Sequence, residues 1–200
     1  INSGASYPDV DNDIVNTYNQ AGLYDQYIDN ATDFDTYMNK QKQLLEASDF
    51  MMNFVTNHDE NSWAGTIEER MGDGHKAFAT LIFCLPGIPL IYSGQEAGLK
   101  KRLKFFEKDL IDWSDLSLMP FYTKLNQLKA ENPALWNGAA GGDLRQITTD
   151  QPKSVVAFSR ETKKNKVLTI INLSKKDQSF TLPAGKDEGI YRDYFTGEEV

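Results

Sequence analysis

The junction at residues 50–61 constrains this chain more than any other stretch. A short, largely apolar run, residues 50–55, stops abruptly in the polar cluster Thr56-Asn57-His58-Asp59-Glu60-Asn61. A run of that length, apolar enough to be covered on both faces, reads as a strand inside a parallel sheet. A second such run, residues 88–92, follows after an intervening helical pattern. Strand, helix, strand, helix in that order implies parallel strands joined by helical crossovers. In a parallel α/β barrel the reactive side chains sit where strands end and loops begin. Here an amide, an imidazole and a carboxylate arrive together at such a point.

The neighbouring segments support this order. Residues 34–45 place Phe34, Tyr37, Met38, Gln41, Leu44 and Leu45 at helical spacing, and residues 14–27 hold at most a short helix in a polar, weakly periodic stretch. Thr66-Ile67-Glu68-Glu69 fits a capping box. In such a box the threonine oxygen accepts from an orphan N–H and the glutamate reaches back. The helix it opens carries Phe78, Leu81, Ile82 and Leu85 on one face and stops at Pro86-Gly87. After a charged loop, residues 100–112, a further helix shows Leu118, Phe121, Leu125 and Leu128 on one stripe and ends near Asn132-Pro133. The pattern changes beyond Gly138-Ala139-Ala140-Gly141-Gly142, which reads as a linker or tight turn. Four strand-like runs follow, at residues 154–160, 166–173, 178–182 and 190–195, separated by turn-like segments.

The cluster Asn57-His58-Asp59 closely resembles the Asn-His-Asp signature of the α-amylase family of glycoside hydrolases. The segment Gly87-Ile88-Pro89-Leu90-Ile91-Tyr92-Ser93-Gly94-Gln95-Glu96 resembles that family's next barrel strand. The resemblance covers roughly residues 34–200. It implies the C-terminal portion of a TIM (β/α)8 barrel over residues 1–138 and a small antiparallel all-β sandwich domain over 139–200. The chain opens on Ile1 and is expected to begin inside the first domain and to stop inside the second.

The resemblance also implies the chemistry. Glycoside hydrolysis passes through an oxocarbenium-like transition state and uses two carboxyl groups, while hydrogen bonds to the sugar hydroxyls strengthen as that state forms. Asp59 suits the third task, because a carboxylate accepting from the 2- and 3-hydroxyls binds the flattened ring better than the relaxed chair. His58 is expected to donate to a neighbouring hydroxyl. Asn57 is grouped with it at the substrate rim, with an amide better suited to bracing the loop than to touching sugar. Arg102 is expected to reach a sugar one subsite further out, and Glu96 to support the site from behind. Trp63, four residues after Asp59, is equally suited to stacking on a sugar and to packing on the barrel edge. Singly, each residue has a plain structural use: a loop ion pair for His58 and Asp59, a turn cap for Asn57, a solvated basic run for Arg102.

The family's nucleophile pattern, Gly-x-Arg-x-Asp, is not found here, nor is a glutamate ending an earlier strand. The expectation is therefore part of a retaining glycosidase that hydrolyses α-glucosidic bonds in starch or maltooligosaccharides, this chain lacking the nucleophile and the general acid. The alternative is a non-catalytic α-amylase-like scaffold or a sugar-binding protein. No cofactor or metal is expected in this portion, calcium belonging to the missing part of the parent. The net charge of −8 argues against a nucleic-acid partner, whose phosphates demand a basic surface, and suits an uncharged α-glucan. Cys84 is the single cysteine, so no internal disulfide forms. The longest apolar region, residues 77–92, is interrupted by Pro86, Gly87 and Pro89 and is too short for a bilayer, so no membrane is expected. Nothing in the sequence assigns a cellular location.

Overall fold

Backbone pairing around residues 50–55 organises the first half of the molecule. The computed structural model describes Asp11–Asp13, Met38, Asn39, Gln43 and residues 50–200. Three parallel strands, β1 (Asp11–Asp13), β2 (Met52–Phe54) and β3 (Ile88–Pro89), lie in that order, with Asp11 opposite Met52 and Met52 opposite Ile88. The expected parallel pairing of the two apolar runs is present. The strand at Asp11–Asp13 was not expected, because three polar residues carry no strand signature and only backbone pairing declares it. The expected helices at 14–27 and 34–45 lie outside the described residues, apart from Met38, Asn39 and Gln43, which are helical.

Between β2 and β3 the chain makes two helices rather than one. The capping box forms as read: Thr66 Oγ1 accepts from Glu69 N at 3.2 Å while Glu69 Oε2 accepts from Thr66 N at 2.8 Å. It opens α1 (Ile67–Met71), which gives way to a 3-10 turn, Gly72–Gly74, before α2 (His75–Cys84). Two glycines in three residues each cost about 1 kcal/mol of helix propensity, which explains the break. Next come β3 and α3 (Met119–Glu131).

The remaining residues form an antiparallel meander: β4 (Asp143–Ile147), β5 (Val155–Glu161) and β6 (Lys166–Asn172), with β5 in the middle. Val155 to Arg160 are all buried, as befits a central strand covered on both faces. Leu144, Val156, Phe158 and Ile171 of this sheet enter one core with Leu81, Ile82 and Phe83 of α2 and Leu125 and Leu128 of α3. The sheet thus shares one core with α2 and α3.

The two last strand-like runs take other forms. Residues 178–182 alternate half-buried with exposed, but Thr181 N donates to the Asp150 carboxylate rather than to a ladder. Alternation without a backbone partner does not fix a strand. The 190–195 run joins an isolated antiparallel bridge, Arg192 with Glu199, closed by mutual bonds of 2.9 Å between Tyr191 and Val200. Phe195 at its tip stacks on Phe121 of α3 with ring centroids 6.1 Å apart.

The glycine-rich stretch before β4 is a pinned turn. Arg160 of β5, only 2% exposed, reaches back across it. Its guanidinium donates to the carbonyls of Trp136 at 2.6 Å, Gly142 at 3.0 Å and Leu135 at 3.1 Å. Burial pushes its pKa down to about 10. One buried cation therefore ties the sheet to the turn that leads into it.

Candidate functional site

The end of β2 is built to hold a short polar segment in one shape. Val55 and Thr56 are buried, and Asn57 is nearly so. Asn57 turns its amide oxygen inward to accept from Glu60 N at 2.8 Å, while its carbonyl accepts from Asn61 N at 2.9 Å. Those bonds start a single π-helical turn, Glu60–Ala64. The amide is spent on the backbone, so Asn57 braces the loop. His58 and Asp59, between brace and turn, are left open to solvent, with Nε2 of one 3.5 Å from Oδ2 of the other.

Arg70 holds this segment from beneath. It lies on α1, is buried, and donates to the carbonyl of Val55 at 3.0 Å. Its other terminal nitrogen lies 3.2 Å from the Glu60 carboxylate. The apolar residue just after β2 and the first residue of the π-turn are thus clamped by one guanidinium, with Asn57, His58 and Asp59 between them.

The loop after β3 docks on the same turn. Asn61, fully buried, donates to the carbonyl of Lys101 at 3.1 Å and accepts from Leu103 N at 2.8 Å. Ser62 adds a bond to the Leu103 carbonyl at 2.7 Å. This docking stacks Phe105 on His58 with centroids 5.6 Å apart. Arg102, at the same rim, pairs with Glu69 at 2.8 Å. That guanidinium, together with the Thr66 N–H, holds the Glu69 carboxyl below its usual range. Arg102 is therefore joined to the capping box.

Gln95, next to Glu96, ties down the turn that follows β3. Gln95 Oε1 accepts from Tyr92 N at 2.6 Å and its Nε2 donates to the Tyr122 hydroxyl at 2.9 Å, linking the end of β3 to α3. Burial pushes that hydroxyl up to about 12. Glu96 is half-buried, with one carboxylate oxygen that finds no hydrogen-bond partner among the described residues. Among those residues no group of three His, Cys, Asp or Glu side chains could hold a metal ion, and no helix is long and apolar enough to cross a membrane.

Residues 6–142 match the model of the α-amylase catalytic domain, and residues 147–200 match that of the α-amylase C-terminal all-β domain. The chain belongs to the α-amylase family. It is 30% identical over 190 residues to the α-amylase MalA of Haloarcula japonica, covering 84% of this chain and 27% of that protein. To α-amylase 2 of Dictyoglomus thermophilum it is 28% identical over 176 residues, covering 80% and 27% respectively. The chain spans about a quarter of the length of these curated relatives. Among solved structures, the maltogenic α-amylase AmyB of Thermotoga neapolitana superposes with a TM-score of 0.75 at 19% identity, over 92% of this chain and 44% of that one. The fold is accordingly part of an α-amylase barrel followed by an antiparallel β domain.

Within this chain three structural groups were not foreseen from the sequence. Arg70 was legible in principle, since it falls three residues after Ile67 and beside Met71 on the buried stripe of α1. A charge on such a stripe needs a partner close by. Asn61 sat inside the polar cluster with nothing to separate it from its neighbours, and Gln95 was overshadowed by the charge next to it.

Proposed function

We propose that this chain supplies the Asn57-His58-Asp59 rim of a retaining glycosidase that hydrolyses α-glucosidic bonds in starch or maltooligosaccharides. The nucleophile and the general acid come from barrel strands outside this sequence. The observation that carries the reading is the His58–Asp59 pair, left open at the end of a parallel strand whose flanking residues are clamped by Asn57 and Arg70. Fixed backbone and free functional groups are what preorganised stabilisation of a transition state requires. The Asp59 carboxylate accepts from two hydroxyls of the reacting ring and binds it best when flattened. His58 donates to a neighbouring hydroxyl, and Arg102 exchanges Glu69 for a sugar hydroxyl further along the chain.

The test is Asp59→Asn in the protein that carries this chain, assayed by steady-state kinetics on a maltooligosaccharide. Only interactions stronger in the transition state than in the ground state accelerate chemistry. The turnover number should therefore fall about 10²–10³-fold with little change in KM, equivalent to about 2.7–4 kcal/mol by analogy with the loss of an oxyanion-hole donor. Unchanged turnover with a raised KM would reduce Asp59 to a binding residue. A parent that binds maltooligosaccharides without cleaving any of them would identify a non-catalytic scaffold.

A further inference from the structure

Asn61 is buried beside the rim, and both ends of its amide are used on the backbone of another loop. Its Nδ2 donates to the Lys101 carbonyl at 3.1 Å. Its Oδ1 accepts from Leu103 N, 42 residues further along the chain, at 2.8 Å. A donor and an acceptor in one planar group, matched to alternate residues, fix the position and the direction of the segment they hold. Ser62 adds its hydroxyl to the Leu103 carbonyl at 2.7 Å. On the far side the Asp109 carboxylate accepts from Lys101 Nζ, from Lys104 N at 3.1 Å and from Leu110 N at 3.0 Å. The loop 101–110 is therefore held at both ends, with Phe105 between.

This docking delivers one ring to the site. Phe105 meets His58 face to face, with centroids 5.6 Å apart and planes 24° from parallel. Trp63 at 5.4 Å and Phe106 at 4.8 Å contact Phe105, and they contact each other at 6.4 Å. The three rings thus brace one another as a closed cluster, and Phe105 is held firmly against the imidazole. The His58 side chain is 66% exposed. A backbone clamp leaves the torsions of an exposed side chain free, and a ring stacked on it restricts them. Freedom removed in advance need not be lost when a ligand arrives.

We propose that Asn61 and Phe105 are positioning residues for the reaction: Asn61 docks the loop after β3, and Phe105, so placed, sets the plane of the His58 imidazole. The proposal rests on the function given above, in which His58 donates to a sugar hydroxyl. A donor already aimed costs no reorganisation as the transition state forms, so the gain belongs to kcat rather than to KM. The segment that carries His58 and Asp59 also carries Asn61 and Trp63, so the rim recruits the ring that orients its own histidine.

The experiment uses the protein that carries this chain. Phe105→Leu removes the ring and leaves the loop's hydrogen bonds in place. Asn61→Asp keeps the acceptor for Leu103 N but turns an oxygen toward the Lys101 carbonyl. On a maltooligosaccharide each should lower kcat about five- to ten-fold at nearly unchanged KM, and Phe105→Tyr, which keeps a ring, should retain the parent's kcat. In a His58→Ala background neither should lower kcat further, because the group they position is gone. Nuclear magnetic resonance of histidine labelled at Cε1 reads the imidazole directly. The resonance lost in His58→Ala should move toward that of a free imidazole in Phe105→Leu and Asn61→Asp, and stay in Phe105→Tyr. A kcat loss that persists in the His58→Ala background, or a loss that falls on KM instead, would overturn the proposal by making Phe105 a substrate contact. An unmoved His58 resonance in Phe105→Leu would overturn the positioning while leaving the role of Asp59 standing, and this variant decides the matter even if Asn61→Asp does not fold. A parent that cleaves no α-glucan overturns the function on which the proposal rests, whatever the resonance shows.

Discussion

Gly87→Ala should destabilise this protein by about 4 kcal/mol. Gly87 sits at the entrance to β3 with φ +123°, a conformation that L side chains rarely adopt. Holding alanine there costs on the order of 1–3 kcal/mol in backbone strain. A β-carbon would also lie 2.5 Å from the Met51 carbonyl oxygen and 2.7 Å from Asn53 Nδ2. Neither atom can yield freely, because Met51 O accepts from Ile88 N at 2.7 Å and Asn53 Nδ2 donates to Pro86 O at 3.0 Å. Relief requires parting β3 from β2, an overpacking cost of about 1–3 kcal/mol more. Gly185 supplies the control: its φ is +125°, and a β-carbon there meets nothing within 4 Å. Gly185→Ala should therefore show the strain alone. Equilibrium urea denaturation followed by circular dichroism would give both values, with a lower midpoint at unchanged slope. A loss at Gly87 no larger than at Gly185 would refute the reasoning, since the close approach to β2 would then cost nothing.

Three further outcomes follow from the same contacts. Lys129, half-buried with its Nζ 2.9 Å from the Leu135 carbonyl, has its pKa pushed down to about 8 by burial and by the nearby Arg160 charge. Between that value and the ordinary 10.5 the unfolded chain binds more protons, so stability should rise with pH across this window. The rise is best read between pH 8 and 9, because the buried Cys84 thiol, raised from 9.0, gives the opposite slope above that, and Lys129→Met should abolish it in urea titrations. Arg70→Gln should cost about 3 kcal/mol by stranding the Glu60 carboxylate, and adding Glu60→Gln should restore part of the loss in a double-mutant cycle. Arg102→Gln breaks an exposed pair and should leave stability nearly unchanged, and in kinetics it should raise KM roughly five-fold at unchanged kcat by removing the proposed sugar hydrogen bond.

What could be read in advance was whatever local chemistry determines. The capping box at Thr66 is complete within four residues, and the structure reproduces both of its bonds. The helical stripe of α3 and the parallel pairing of β2 with β3 followed from periodicity and from the order of elements. The strand at Asp11–Asp13 did not, because its partner lies some forty residues away and its sequence carries no strand preference. The last two strand-like runs failed for the complementary reason. Residues 178–182 alternate half-buried with exposed but gain no strand partner among the described residues, and 190–195 finds only a short return of its own chain.

The site divides along the same line. Which side chains stand at the rim was legible, because a strand end followed by Asn-His-Asp carries its own geometry. How they are held was not, because the holding groups act on backbone atoms far along the chain. Arg70 reaches Val55 across fifteen residues, Asn61 reaches Leu103 across 42, and Arg160 reaches Leu135 across 25. In each case the partner is a main-chain N–H or carbonyl, which every residue possesses and which leaves no mark on the partner's identity. Such groups announce themselves only as a polar residue at a position that should be buried. Arg70 on its apolar stripe and Arg160 in the central strand both meet that description. The open pair His58 and Asp59 departs from it in the opposite direction, as polar groups left unburied at the end of a buried strand. A buried cation bonded to carbonyls belongs to the scaffold, as Arg70 does, and an exposed acid on braced backbone is free to meet a ligand. That contrast is the physical ground for the role proposed for Asp59.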